Sequence, residues 1–309
     1  MRPPALRPGD LIGVCAPAGP VNPERLAAGV ARLERHFRVR VPPGLDARAG
    51  YLAGPDARRA DELAALLADP EVRGIVCARG GYGVTRMLAA VDPAPLAADP
   101  RPVVGFSDVT ALLAWAAAAG VAPIHGPMVC QLGELPEDDV AWLVRLLTDP
   151  RPAGRLPWRL APVGAAAPAT AVTAPLLVGN LTLLAHLVGT PWQLDAAGCV
   201  LVIEEVSEKP YAIDRDLTQL GHAGALRGCR GLVLGDLTRC TDPALAPGAP
   251  DDPGPARSAV IDRLLAFDLP GLAGAPVGHG ARNAALPFGG RATVDFAAGT
   301  VELLDAAVR

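Results

Sequence analysis

The 309-residue chain has no long apolar run. No stretch of about 18 uncharged apolar residues occurs, and the alanine-rich segment 111–119 is too short to span a bilayer. Nor is there a basic surplus. The 28 basic residues face 32 acidic ones for a net charge of −4, and no basic cluster sits beside aromatics, so nucleic acid is not an expected partner. The six cysteines, at positions 15, 77, 130, 199, 229 and 240, form no Cys-x-x-Cys pair, and no histidine stands at zinc-finger spacing from two of them. Several lie in apolar runs such as Ile75-Val76-Cys77, which reads as buried free thiols in a reducing compartment. The five histidines include no His-x-x-x-His pair, so no metal site is expected. The first apolar piece, Leu11 to Ala16, is shorter than a signal-peptide core, and Cys15 after Val14 does not fit a lipoprotein cleavage site. Together these absences lead to the expectation of a soluble, cytoplasmic protein.

What is present is ample apolar material, half of all residues, with 34 glycines and 33 prolines marking many loops. The length suits two domains. Residues 1–150 alternate short apolar runs with helical patterns. Leu11–Ala16, Phe37–Val41, Gly74–Ala78 and Pro102–Phe106 read as strands. Helices are expected from Asn22 to about His36, over Asp56–Leu67, from Val84 to Ala90 and from Asp108 to about Ala119. Such alternation predicts a parallel sheet covered on both faces. Residues 151–175 lose both periods and read as a linker. Beyond it, Leu176–Val178, Cys199–Ile203 and Gly231–Leu234 are strand-like, helices are expected over Leu181–Leu187 and Ala259–Leu265, and 291–304 reads as a hairpin. The second domain, 176–309, is thus expected to be α+β and rich in strands.

Four short segments could carry chemistry. In Val103-Val-Gly-Phe-Ser107-Asp-Val-Thr a serine sits where a buried strand gives way to a helix, which lifts the hydroxyl onto a sharp turn and aims backbone N–H groups at any anion formed there. A plain helix N-cap would look the same. In Ala78-Arg-Gly-Gly-Tyr-Gly83 the glycines permit positive φ and close approach. The segment can be a phosphate cradle, an oxyanion donor or a tight turn, and it lacks the Walker lysine. After an apolar strand, Glu204 and Glu205 point to opposite faces, so at most one serves a given site, and a solvated strand end is the plain alternative. His279 lies between two glycines, which offer no walls for core packing. Of the other histidines, His125 at a strand end is as compatible with structure as with ligand contact, His186 reads as core or interface, and His36 and His222 read as surface.

In combination, these segments resemble the LD-carboxypeptidases, a serine peptidase family that also includes the microcin-C immunity peptidases. The matching pieces are Leu6-Arg-Pro-Gly-Asp-Leu-Ile-Gly-Val-Cys-Ala-Pro-Ala-Gly, Arg79-Gly-Gly-Tyr-Gly, Gly105-Phe-Ser-Asp-Val-Thr, His125-Gly-Pro, Gly179-Asn-Leu, Ile203-Glu-Glu-Val and Gly278-His-Gly, in order from residue 6 to about 290. The resemblance implies a nucleophile at Ser107, a base at His279 and a carboxylate at Glu204. Glu204 is preferred because the family carboxylate comes first in a Leu-Glu-Asp-like run, here Ile-Glu-Glu, and Glu205 stays open as the second choice. It also implies an oxyanion hole from the backbone N–H groups of Gly81 and Asp108, no cofactor, a flavodoxin-like N-terminal domain with a smaller strand-rich C-terminal domain, and a homodimer. Since two members of the triad fall in the second domain, the site is expected at the domain interface.

The family acts on murein peptides, cleaving before a terminal D-alanine. A carboxypeptidase needs a cation for the terminal carboxylate, and Arg86 and Arg282 are the candidates. Three other functions stay open at this point: an immunity-type peptidase acting on aminoacyl nucleotides, a non-catalytic flavodoxin-like ligand-binding protein, and a nucleotide-phosphate binder using Gly80 to Gly83.

Overall fold

The computed structural model describes residues 1–168, 170–245 and 251–309. Its strands, in chain order, begin with β1 (Leu11–Cys15), β2 (Arg38–Arg40), β3 (Val72–Cys77), β4 (Val103–Gly105) and β5 (Ile124–His125). There follow β6 (Gly154–Arg155), β7 (Ala161–Gly164), β8 (Val172–Asn180), β9 (Val200–Val206), β10 (Gly231–Thr238) and β11 (Pro270–Ala273). The last three are β12 (Leu286–Pro287), β13 (Arg291–Asp295) and β14 (Thr300–Leu303). The chain divides into two compact units: Met1–Arg151 with Ala284–Phe288 and Ala306–Arg309, and Pro152–Asn283 with Gly289–Asp305.

In the first unit the strand order is β12-β5-β4-β3-β1-β2, with β1 to β5 parallel and β12 antiparallel at the edge. Without β12 this is the 2-1-3-4-5 order of flavodoxin-like sheets. β1 is wholly buried, as its uninterrupted apolar run requires in a sheet covered on both faces. The helix Pro23–Leu33 starts where Asn22 accepts a hydrogen bond from the Arg25 N–H at 3.0 Å, with proline at its first position. The helix Asp56–Ala68 buries Leu63, Leu66 and Leu67, one apolar stripe, against the sheet.

The second unit carries an eight-stranded sheet, β6-β14-β13-β8-β9-β10-β11-β7. Its centre, β8 to β11, is parallel, and antiparallel strands flank it on both sides. β8 serves both parts: Val172–Pro175 pairs with β13, and Leu176–Asn180 pairs with β9. This parallel centre is more regular than the α+β arrangement expected from the sequence.

Three expectations need correction. Residues 151–175 are no linker, because β6, β7 and the start of β8 lie there in the second sheet. Strands of two to four residues containing Gly and Pro leave no readable period, and Ala169, within the expected linker, lies outside the described residues. The second domain does not keep all of 176–309, since Ala284–Phe288 and Ala306–Arg309 belong to the first unit. β12 pairs with β5, and Arg309 exchanges backbone hydrogen bonds with Pro3 and Ala5, each 2.9 Å. Finally, His186, read as core or interface, is exposed at the end of the helix Leu181–His186, which removes the core alternative. Further helices include Glu137–Thr148 and Pro210–His222. Among the described residues no helix is long and apolar enough to cross a membrane.

Candidate active site

Ser107 stands at the junction foreseen for it. β4 ends at Gly105, Phe106 is extended, and Ser107 opens a 3₁₀ turn, Ser107–Val109, that runs into the helix Thr110–Ala118. Its φ is 62°, the left-handed region that a side chain enters only at a cost of about 1–2 kcal/mol. Gly105 permits the sharp turn, because a Cβ there would lie 2.4 Å from Cγ1 of Val109. The glycine loop packs against the serine. A Cβ on Gly80 would lie 2.9 Å from Cβ and 3.0 Å from Oγ of Ser107, so this approach needs glycine. Gly81 has φ 123°, and the Gly80 carbonyl accepts the Gly19 N–H at 3.0 Å.

Two buried side chains lock these loops. The Asp108 carboxylate accepts the Val84 N–H at 2.9 Å, tying the serine turn to the helix after the glycine loop, and burial pushes its carboxyl above the usual range. The fully buried Arg59 donates to the Gly83 carbonyl at 2.8 Å and to the Pro17 carbonyl, and pairs with Asp56. His125, also fully buried, packs its ring edge-on to Phe106 at 5.8 Å, directly behind the serine turn.

The second unit supplies a carboxylate and an imidazole in contact. Glu204, fully buried near the end of β9, places Oε2 2.7 Å from Nδ1 of His279. A carboxylate only accepts, so Nδ1 donates, and Nε2 is left as the basic nitrogen. Oε1 of Glu204 has no hydrogen-bond partner among the described residues. Glu205 points the other way. Its oxygens accept from Asn180 Nδ2 at 2.9 Å and from the N–H groups of Thr182 and Val206, both at 2.8 Å. It thereby fixes the start of the helix Leu181–His186, and burial pushes its carboxyl up. Of the two adjacent glutamates, Glu204 is therefore the one that meets the histidine.

The glycines around His279 have a physical cause. A Cβ on Gly278 (φ 128°) would lie 2.9 Å from Cβ and 3.0 Å from Oε2 of Glu204, and one on Gly280 would lie 1.7 Å from Oδ2 of Asp236. Two carboxylates occupy the space that side chains at 278 and 280 would need. Sequence reasoning missed Asp236 and the closeness of Gly80 to Ser107. The only signal for Asp236 was a Gly-Asp pair interrupting the apolar run of β10. Of the expected cations, Arg86 is engaged by Asp56 at 2.8 Å on the surface, and Arg282 is exposed. Among the described residues no three His, Cys, Asp or Glu side chains converge on a metal position.

This arrangement can be set beside known proteins. Residues 12–126 match the family model described as the LD-carboxypeptidase N-terminal domain, and residues 173–294 match the one described as its C-terminal domain. The murein tetrapeptide carboxypeptidase of Pseudomonas aeruginosa is 32% identical over 296 residues, covering 92% of each chain. The microcin C7 self-immunity protein MccF of Escherichia coli is 32% identical over 134 residues, covering 41% of this chain and 39% of its own. Among solved structures, a muramoyltetrapeptide carboxypeptidase from Oxalobacter formigenes aligns with a TM-score of 0.79 at 30% identity, covering 95% of this chain and 97% of its own. Matched in both halves by the family's models and along nearly its whole length by a carboxypeptidase, the chain belongs to the LD-carboxypeptidase family of peptidases.

Proposed function

We propose that the chain is a serine carboxypeptidase that hydrolyses the LD peptide bond before a terminal D-alanine in murein tetrapeptides, acting in the cytoplasm as a homodimer. The observation that carries this reading is Ser107, held at φ 62° on a strand-to-helix turn with Gly80 against its hydroxyl. The Glu204–His279 contact of 2.7 Å supports it with an oriented base. The relatives named for murein and muramoyl tetrapeptides supply the substrate class.

In this mechanism Nε2 of His279 takes the Ser107 proton as Oγ attacks the carbonyl carbon before D-alanine. The carbonyl oxygen becomes an oxyanion, for which the N–H groups of Gly81 and Asp108 are the proposed donors. The intermediate collapses, the C–N bond breaks, and His279 hands its proton to the leaving amine. Water, deprotonated by His279, then cleaves the ester and restores Ser107. Glu204 holds Nδ1 and stabilises the imidazolium without itself taking the proton.

The test is to incubate the purified chain with murein tetrapeptide and follow free D-alanine by mass spectrometry. Release by the parent and none by Ser107→Ala is the expected result. Intact tetrapeptide together with hydrolysis of an aminoacyl sulfamoyl nucleotide would move the assignment to the immunity-type activity.

A further inference from the structure

Arg59 has no part in the mechanism above, yet its placement works against simple stability. It is fully buried, and it stands near the start of the helix Asp56–Ala68, the end whose dipole disfavours a cation. A well-packed apolar side chain often holds such a position as well as a buried ion pair or better, because burying a charge carries a large desolvation penalty. What the guanidinium holds is mostly backbone. Nη1 donates to the carbonyls of Pro17 and Gly83, the latter at 2.8 Å, and Nη2 pairs with Asp56.

The Gly83 carbonyl and the Val84 N–H belong to one peptide unit. Arg59 holds that unit by its oxygen at 2.8 Å, and the buried Asp108 carboxylate holds it by its nitrogen at 2.9 Å. A single peptide plane is thus gripped at both ends by side chains of opposite charge. The guanidinium packs on Gly83 itself. A Cβ there would lie 2.9 Å from Nη1, and the φ of 124° is one that only glycine adopts readily.

This grip ends a loop that is poorly fixed by its own sequence. Glycines stand at 80, 81 and 83, and glycine leaves the backbone many conformations to lose. The loop brings Gly80 against Ser107 and carries the Gly81 N–H proposed for the oxyanion. Near its start the Gly80 carbonyl accepts the Gly19 N–H at 3.0 Å, and Arg59 holds the same 16–20 segment through Pro17. At its end the Gly83–Val84 unit is tied to Asp108, the residue after the serine and the source of the other proposed donor. One clamp therefore relates both donors to each other.

We propose that the side chains of Arg59 and Asp108 are positioning groups that act through the Gly83–Val84 peptide unit to set the Gly81 N–H against the Asp108 N–H. The inference rests on the peptidase reading. Neither side chain touches substrate; the clamp serves the transition state, in which the carbonyl oxygen gains charge, and leaves ground-state binding alone.

The test uses the full chain with Arg59→Met, which keeps buried bulk without the donors, and with Asp108→Ala and Asp108→Asn. Arg59→Met should lower kcat for D-alanine release from murein tetrapeptide by about 10²-fold, the scale of a misplacement of about 1 Å. KM should stay within about threefold, since uniform binding is untouched. Two probes separate the states: the tripeptide product, and its boronic-acid analogue, whose boron forms a tetrahedral adduct with Oγ of Ser107. Arg59→Met should weaken the boronate in proportion to kcat and bind the tripeptide like the parent, a split that a merely structural residue would not produce. Asp108→Asn keeps an acceptor for the Val84 N–H, so it should lose less kcat than Asp108→Ala. Circular dichroism establishes that each variant is folded, and the Asp108 pair carries the comparison if Arg59→Met does not fold. Unchanged kcat in folded Arg59→Met, equal losses of boronate and tripeptide binding, or equal kcat losses in the two Asp108 variants would overturn the proposal. A parent chain that neither releases D-alanine nor binds the boronate more tightly than the tripeptide refutes the peptidase reading instead.

Discussion

Ser107, His279 and Glu204 carry different loads, and their variants should differ accordingly. Ser107→Ala removes the proposed nucleophile. His279→Ala and the Ser107/His279 double variant should lower kcat for D-alanine release by nearly the same amount, on the order of 10⁴-fold or more, because members of a triad act as a unit. Glu204→Gln should lower kcat less than Ser107→Ala, since it disturbs only the orientation and charge of an imidazole held at 2.7 Å. Multiplicative losses in steady-state kinetics of the double variant would show the two groups acting independently.

Asp108 allows a prediction in pH. Burial raises its carboxyl above the unfolded value, so between the two values the folded chain holds more protons than the unfolded one. Stability from this group therefore falls as pH rises through that window, and the penalty of the buried charge is fully present above it. Asp108→Asn is neutral throughout and keeps an acceptor for the Val84 N–H. The melting-temperature difference, variant minus parent, should grow more positive from about pH 4 to about pH 7. A constant difference across thermal melts would refute the assignment of the penalty to Asp108.

At the scale of elements, Gly29 gives a sharp test. It is buried in the middle of the helix Pro23–Leu33, where Gly→Ala ordinarily stabilises by about 1 kcal/mol. Here a Cβ would stand 1.7 Å from the Val129 carbonyl oxygen, so this helix and the short helix Val129–Leu132 must separate. Overpacking of this kind costs roughly 1–3 kcal/mol beyond the propensity gain. Gly29→Ala should lower the melting temperature by roughly 2–8 °C. A rise would mean that the second helix yields freely.

What could be read in advance follows from how each element advertises itself. β1, Gly74–Cys77 of β3 and Val200–Ile203 of β9 are unbroken apolar runs, and the Ala-Ala-Gly turn betrays the β13–β14 hairpin. β6 and β7 were hidden because edge strands of two and four residues have too few positions to show alternation. The helix Glu137–Thr148 went unread although its first turn holds Glu137, Asp138 and Asp139, the acidic start that a helix dipole favours. At the site, the serine turn and the Gly-His-Gly loop stood out locally. That Glu204 rather than Glu205 meets His279 is a matter of which strand face is turned, and Asp236 depends on a bulge that only the paired strands reveal.

At the scale of the whole molecule, the first unit is not continuous in sequence. β12 covers the edge of β5, the Phe288 N–H donates to the Pro123 carbonyl at 3.0 Å, and Trp142 Nε1 donates to the Ala285 carbonyl at 2.7 Å. A fragment of residues 1–151 lacks these partners, exposes β5 as an open edge beside the buried His125, and leaves Trp142 unsatisfied. It should fail to give the near-ultraviolet circular dichroism of a fixed tertiary structure. A fragment with sharp, cooperative melting would show the early residues to be self-sufficient.

The late position of β12 also has a meaning for synthesis. A ribosome delivers the chain from its N-terminus, and domains generally begin folding as they emerge. Here the sheet that presents Ser107 cannot receive its last strand until residue 287 has left the exit tunnel, by which time His279 has been made as well. The nascent chain therefore carries Ser107 on an unfinished scaffold for most of translation. A ribosome stalled before that point would release a polypeptide without a completed hydrolase, so truncated products should be clients for proteolysis rather than active enzymes at large among the cell's peptides.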